Sequence, residues 1–134
     1  MVGVQINVGN GEDHGHHIAV ENCSIHDFGG QGMLIGSGGN QEKVCCNRFV
    51  GLDIHHNGFK CSNYTGVEGQ CHGAYIDSSS NLIEGSRLSY NAGWGIQLFR
   101  HANNNTLLRC LAEHNGQVGP RGPGIGVYLS LIHI

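Results

Sequence analysis

Two short patterns alternate along the 134-residue chain, and their alternation constrains the fold more tightly than any other feature. The first reads glycine, apolar, any, apolar: Gly3-Val4-Gln5-Ile6, Gly32-Met33-Leu34-Ile35, Gly73-Ala74-Tyr75-Ile76, Gly95-Ile96-Gln97-Leu98 and Gly126-Val127-Tyr128-Leu129, with glycine spacings of 29, 41, 22 and 31. The second runs through Val20, Cys23, Ile25, Phe28 and Gly29; Phe49, Leu52, Ile54, Asn57 and Gly58; Ile83, Ser86, Leu88, Asn91 and Ala92; and Leu107, Cys110, Ala112, Asn115 and Gly116. Each run alternates with period two and has no helical period, so each predicts a very short strand with one face inward. A unit so short cannot bury that face alone. Stacking successive units about 4.8 Å apart pairs every strand with its equivalents above and below and makes one continuous core. The sequence therefore predicts a solenoid, its basic turn 22 residues long and its longer turns enlarged by insertions of 7, 19 and 9 residues.

Composition enters through glycine, which is 23 of 134 residues against a usual share of about 7%. Proline is only two, so the excess is neither collagen-like nor that of a disordered tract; tight corners at positive φ account for it. Stacking places Asn57, Asn91 and Asn115 at one corner, where their amides can bond along the axis as a ladder. Cys23, Leu52, Ser86 and Cys110 stack at an inward position, where a free thiol serves as a small apolar residue. The register is open between Asn40 and Phe49, because Val44, Asn47 and Phe49 also fit the second pattern.

Charged residues are 13% of the chain, lysine plus arginine number seven, and the net charge is −3, so no electrostatic footprint for nucleic acid or anionic lipid exists. No run of 18 apolar residues predicts a membrane span. MVGVQINVGNGED lacks the regions of a signal peptide, so if the parent protein is exported its signal is expected upstream of this fragment.

The segments HGAYIDSSSNLIEGSRLSYNAGWGIQLF and NTLLRCLAEHNG resemble the repeats of the right-handed parallel β-helix proteins of the pectin-lyase-like superfamily. The resemblance covers Gly3 to Tyr128. It implies an all-β fold, a right-handed parallel β-helix of about four coils truncated at both ends, with residues 1–128 as its single domain. It also implies a carbohydrate-active protein of lyase, hydrolase or epimerase type, with a polysaccharide or oligosaccharide as partner and an extracellular or periplasmic parent. A non-catalytic β-helix, such as a surface, adhesin or accessory module, is the alternative. The clustered Asp residues that resembling pectate lyases use for calcium are not found, nor are their basic catalytic pairs, so no cofactor is expected and calcium is left without a motif. The last six residues, 129–134, resemble the translation of a transposon-end sequencing adapter and are expected to be read-through; a natural apolar tail is the alternative.

Residues that depart from the repeat are free to serve function. Insertions at Phe59 to His72 and at Gln117 to Gly124 fall in the same interval of the repeat and are expected to wall a notch floored by Trp94, the only tryptophan. Trp94, His72, Tyr75, Asp77 and Gln97 are the expected substrate-binding surface, since an indole in a groove suits a sugar ring; the alternative packs Trp94 under a loop. Outward rows beside the second pattern hold Ser24, Asp53, Arg87 and Leu111; His26, His55, Ser89 and Glu113; and Asp27, His56, Tyr90 and His114. Asp53, His55, His56, Arg87, Tyr90 and His114 are the catalytic candidates, Asp53 pairing with Arg87 and His56 touching Tyr90, because elimination from a uronate needs a base, an acid and a cation for the carboxylate. Ordinary solvated ion pairs are the alternative. For hydrolysis only Asp53 with Asp77 forms a carboxylate pair to test, and they belong to different sheets. His14, His16 and His17 with Glu12 and Asp13 suit a metal or a plain loop, and no metal site is assigned. Cys61 and Cys71 bracket KCSNYTGVEGQC, where a disulfide or two thiols fit.

Overall fold

In a computed structural model, residues 1–7, 15–36, 43–60, 72–118, 124–127 and 132–133 are described. They form short strands in three parallel sheets. Sheet A stacks β1 (Val4–Asn7), β4 (Met33–Gly36), β7 (Ala74–Asp77), β10 (Ile96–Leu98) and β13 (Ile125–Val127). Sheet B stacks β2 (Ala19–Glu21), β5 (Arg48–Val50), β8 (Leu82–Glu84), β11 (Asn105–Leu108) and β14 (Ile132–His133). Sheet C stacks β3 (Ser24–His26), β6 (Asp53–His55), β9 (Arg87–Ser89) and β12 (Leu111–Glu113). The chain visits A, B and C in turn, which gives four full coils and the start of a fifth.

The inward rows are those expected. Ile6, Ile35, Ile76 and Leu98 pair in register and are buried. Val20, Phe49, Ile83 and Leu107 line the inner face of sheet B. Ile25, Ile54, Leu88 and Ala112 do so in sheet C. Among them Phe49 fills the most space of any fully buried side chain.

The asparagine ladder forms. Asn57 Nδ2 donates to Asn91 Oδ1 at 3.1 Å, and Asn91 Nδ2 donates to Asn115 Oδ1 at 2.9 Å. A second ladder, which the open register concealed, runs at the corner before sheet B. Asn47 N–H donates to Asn81 Oδ1 at 3.1 Å, and Asn81 Nδ2 to Asn105 Oδ1 at 2.9 Å. Buried amides thus close two corners and bond backbone groups there, among them the Ile25, Ile54 and Leu88 carbonyls.

Positive φ explains less of the glycine content than expected. The left-handed corners hold His17, Cys46, Ser80 and Asn104; Asn22, Gly51, Gly85 and Arg109; and Asp27, His56, Tyr90 and His114, most of them not glycine. The strand-initiating glycines answer a different demand. A Cβ on Gly32, Gly73 or Gly95 would lie 2.6–2.7 Å from a ladder amide, and on Gly32 or Gly73 it would also lie 2.6 Å from the carbonyl of the next coil.

Two further expectations are corrected. The fifth sheet A strand begins after Gly124, not Gly126, because Ile96 pairs with Ile125; a slip of two residues preserves which side chains face in, so alternation alone could not choose. The stacked small position is not uniformly apolar. Ser86 Oγ accepts the Leu52 N–H at 3.1 Å, while Cys23, in the first coil, is exposed.

Candidate functional site

The corner that closes sheet C repeats in every coil, so residues there must stack. His56, Tyr90 and His114 occupy its left-handed position, and their rings lie nearly parallel, His56 to Tyr90 at 5.3 Å and Tyr90 to His114 at 5.0 Å. In the adjacent row His26 stacks on His55 at 4.9 Å. His55 Nδ1 and His56 Nδ1 stand 2.8 Å apart, one donating and one accepting. His26 bonds Asp27 at 2.7 Å, and that bond, with weaker attraction from His56 and His55, holds the Asp27 carboxyl below its ordinary range.

Asp53 and Arg87 are neighbours in register but not partners. The Arg87 guanidinium reaches Glu113 of the next coil instead, at 2.8 Å. Asp53 Oδ1 is left buried with no hydrogen bond among the described residues. The cation expected to neutralise a substrate carboxylate is therefore already neutralised. Arg87 is exposed and Glu113 partly so, so Arg87→Ala is expected to lower stability by less than about 1 kcal/mol. A larger loss in urea titration would mean the pair is structural.

The outer face of sheet A holds the other set. Tyr75 and Asp77 point outward from β7, and Gln97 pairs with Tyr75 from β10. His72 is buried; its Nδ1 accepts the Trp94 N–H at 3.1 Å and its ring lies parallel to Tyr75 at 6.2 Å. Trp94 is half-buried, its indole against Gly126, where a Cβ would approach the ring to 2.9 Å. This is closer to a packed tryptophan than to a fully exposed one. Gln97 is buried although outward-facing, and its Oε1 has no partner among the described residues. Burial first, and then the charge of Asp77, pushes the Tyr75 hydroxyl up to about 12, so the phenol keeps its proton.

Three residues beyond β10 complete this face and were not singled out by the repeat. Phe99 lies 5.7 Å from Tyr75, the Arg100 guanidinium carbon lies 5.3 Å over the Phe99 ring, and His101 Nδ1 meets Asp77 Oδ1 at 2.8 Å. Their signal was the basic and aromatic run Phe99-Arg100-His101, which sits just where the strand pattern ends.

A family model described as a right handed beta helix region matches residues 2–131. The chain belongs to the right-handed β-helix family. No curated protein and no solved structure shows significant similarity to it. Membership fixes the β-helix fold and not its chemistry.

On this β-helix the catalytic and binding candidates occupy different sheets. Asp53, His55, His56, Arg87, Tyr90 and His114 belong to sheet C and its closing corner, whereas Tyr75, Asp77 and Gln97 lie on sheet A, with His72 and Trp94 just before its strands. The proposed hydrolytic pair is likewise divided, and Asp77 is engaged by His101. Residues 61–71 and 119–123, the insertion walls, lie outside the described residues, as do the Cys61–Cys71 pairing and Glu12, Asp13 and His14. His16 and His17 are described, their Nδ1 atoms 2.9 Å apart. Among the described residues no group of three or more His, Cys, Asp or Glu is arranged to hold a metal, and no helix is long and apolar enough to cross a membrane.

Proposed function

We propose that this β-helix binds a polysaccharide on the outer face of sheet A. The observation that supports the reading is the grouping of Trp94, Tyr75 and Phe99 with Gln97, Arg100 and the Asp77–His101 pair on one outward surface. An outward strand face in a solenoid needs only solvated side chains. Rings there, beside an amide oxygen lacking a partner among the described residues, suit the alternating apolar faces and hydroxyls of a sugar. The sheet C column is the poorer candidate, since its corner rings cover one another and its Arg87 is held by Glu113. We place the protein outside the cytoplasm, where such polymers are met.

Trp94 is the chain's only tryptophan, so its fluorescence reports this surface alone. Titration with a panel of neutral and acidic oligosaccharides is expected to quench or shift it. Tyr75→Ala is expected to weaken binding about tenfold, the loss of one aromatic contact of roughly 1.4 kcal/mol, while Tyr90→Ala leaves it unchanged. A panel without any effect on Trp94, or equal losses from both variants, sinks the assignment. The engagement of Arg87 by Glu113 and the mutual stacking of the corner rings favour a second reading, a binding module without catalysis, which predicts saturable quenching and no product.

A further inference from the structure

We propose that Cys45 and Cys46 form a dithiol site that takes a small disulfide as its oxidant and closes to a disulfide between these two neighbouring residues. The site sits at the corner before sheet B and holds whether or not sheet A binds a glycan.

The corner itself asks for no sulfur. Register sets Cys45 beside Ser79, and Cys46 shares its left-handed column with His17, Ser80 and Asn104. The next coil therefore makes the same bend with Ser79 and Ser80, and the two coils are joined there by the Cys46 N–H, which donates to the Ser79 carbonyl at 3.3 Å. What the cysteines add is a contact between sulfurs. The Cys46 thiol donates to Cys45 Sγ at 2.6 Å, and both residues are half-buried, which leaves them open to a small reagent. Cys23 and Cys110 instead donate to the backbone carbonyls of Glu21 and Ile83, at 3.1 and 3.4 Å. Among the described residues only Cys45 and Cys46 bring two thiols together.

Exchange with a small disulfide then takes two displacements, each by a thiolate. Once Cys46 has lost its proton, the Cys45 thiol donates to it; that bond first, and burial second, push Cys45 up to about 11, so Cys46 attacks while Cys45 keeps its proton. Cys46 Sγ bonds to one sulfur of the small disulfide, whose S–S bond breaks, and the other half leaves and takes up the proton that Cys46 released. The mixed disulfide on Cys46 carries no charge, so nothing now holds the proton on Cys45. Cys45 Sγ attacks Cys46 Sγ, the mixed bond breaks, and the second small thiol leaves with that proton. Two thiols of the protein are oxidised and one small disulfide is reduced to two thiols. The closed bond spans Cα atoms about 3.8 Å apart across one trans peptide, short of the roughly 4.4 Å at which ordinary disulfides begin. Such a bond is strained, so excess thiol reopens it and the site is reversible.

The experiment treats the full, reduced chain with limiting oxidised glutathione, alkylates the thiols that remain and digests with trypsin. Lys43 and Arg48 bracket a peptide that holds Cys45 and Cys46 and no other cysteine, so mass spectrometry reads the pair by itself. That peptide is expected to lose two hydrogens and escape alkylation before Cys23 or Cys110 reacts, with two glutathiones released for each pair closed. Excess dithiothreitol should restore both thiols. Samples quenched early with acid should carry glutathione on Cys46. Cys45→Ser should stop there, keeping its glutathione and releasing only one; Ser79 holds the equivalent position in the next coil, so the variant is expected to fold, and circular dichroism checks it. Three results in the parent chain overturn the site: both thiols of the peptide alkylated after Cys23 and Cys110 have reacted, glutathione persisting on the peptide, or a bond from Cys45 or Cys46 to a different cysteine. Early glutathione on Cys45, or release of a second glutathione by Cys45→Ser, overturns Cys46 as the attacking thiol.

Discussion

Asn91→Leu is expected to bring the β-helix to the edge of unfolding. Asn91 is fully buried at the middle of its ladder. Its Oδ1 accepts from the Asn57 backbone at 3.1 Å, and its Nδ2 donates to the Ile54 carbonyl at 3.1 Å as well as to Asn115. Leucine has the same side-chain branching and number of heavy atoms, so no cavity is left. What remains is a buried Asn57 N–H without its acceptor and carbonyl oxygens short of a donor. At about 1–3 kcal/mol for each stranded group the loss is roughly 3–5 kcal/mol, a large part of the 5–15 kcal/mol of net stability usual for a domain. Urea titration followed by circular dichroism measures it. A midpoint equal to that of the parent would mean the ladder contributes nothing.

Gly73→Ala is expected to cost nearly as much, for a steric reason alone. Its added methyl would meet Asn91 Nδ2 and the Gly95 carbonyl oxygen at 2.6 Å, and neither can retreat, one being tied into the ladder and the other into the next coil. Overpacking of this kind costs roughly 3 kcal/mol. Gly85 offers the contrast. It has φ +56° and nothing within 4 Å of an added Cβ, and Asn22 and Arg109 stand at the same corner in other coils. Gly85→Asn should therefore change stability by less than about 1 kcal/mol. If the two variants melt alike, steric approach is not what fixes the strand-initiating glycines.

Much of this fold was legible because a repeat tests itself. Ile6, Ile35, Ile76 and Leu98 mark one row, and their spacing forces Asn57, Asn91 and Asn115 into another. The second ladder escaped because Asn47 sits where two registers fit equally well, although Asn47, Asn81 and Asn105 each stand two residues before an inward residue of sheet B. The fifth sheet A strand slipped by two because Gly124 and Gly126 each open the same pattern. The site was less legible. Register gives Cα neighbours, so it set Arg87 beside Asp53, but a guanidinium on a long stem chooses its own partner. Phe99, Arg100 and His101 lie past the last patterned residue of β10, where no repeat marks them, and only the fold returns His101 to Asp77 from 24 residues away.

The left-handed corners have a kinetic consequence. His17, Asn22, Asp27, Cys46, His56, Ser80, Tyr90, Asn104, Arg109 and His114 all hold a backbone conformation that L residues resist, by roughly 1–2 kcal/mol each for most of them. Local preference thus opposes most of the bends that the assembled stack requires, Gly51 and Gly85 excepted, and neighbouring turns supply amides and rings that hold them. An isolated turn has no tendency to curl, so initiation requires at least two to close together and growth proceeds by addition to an existing template.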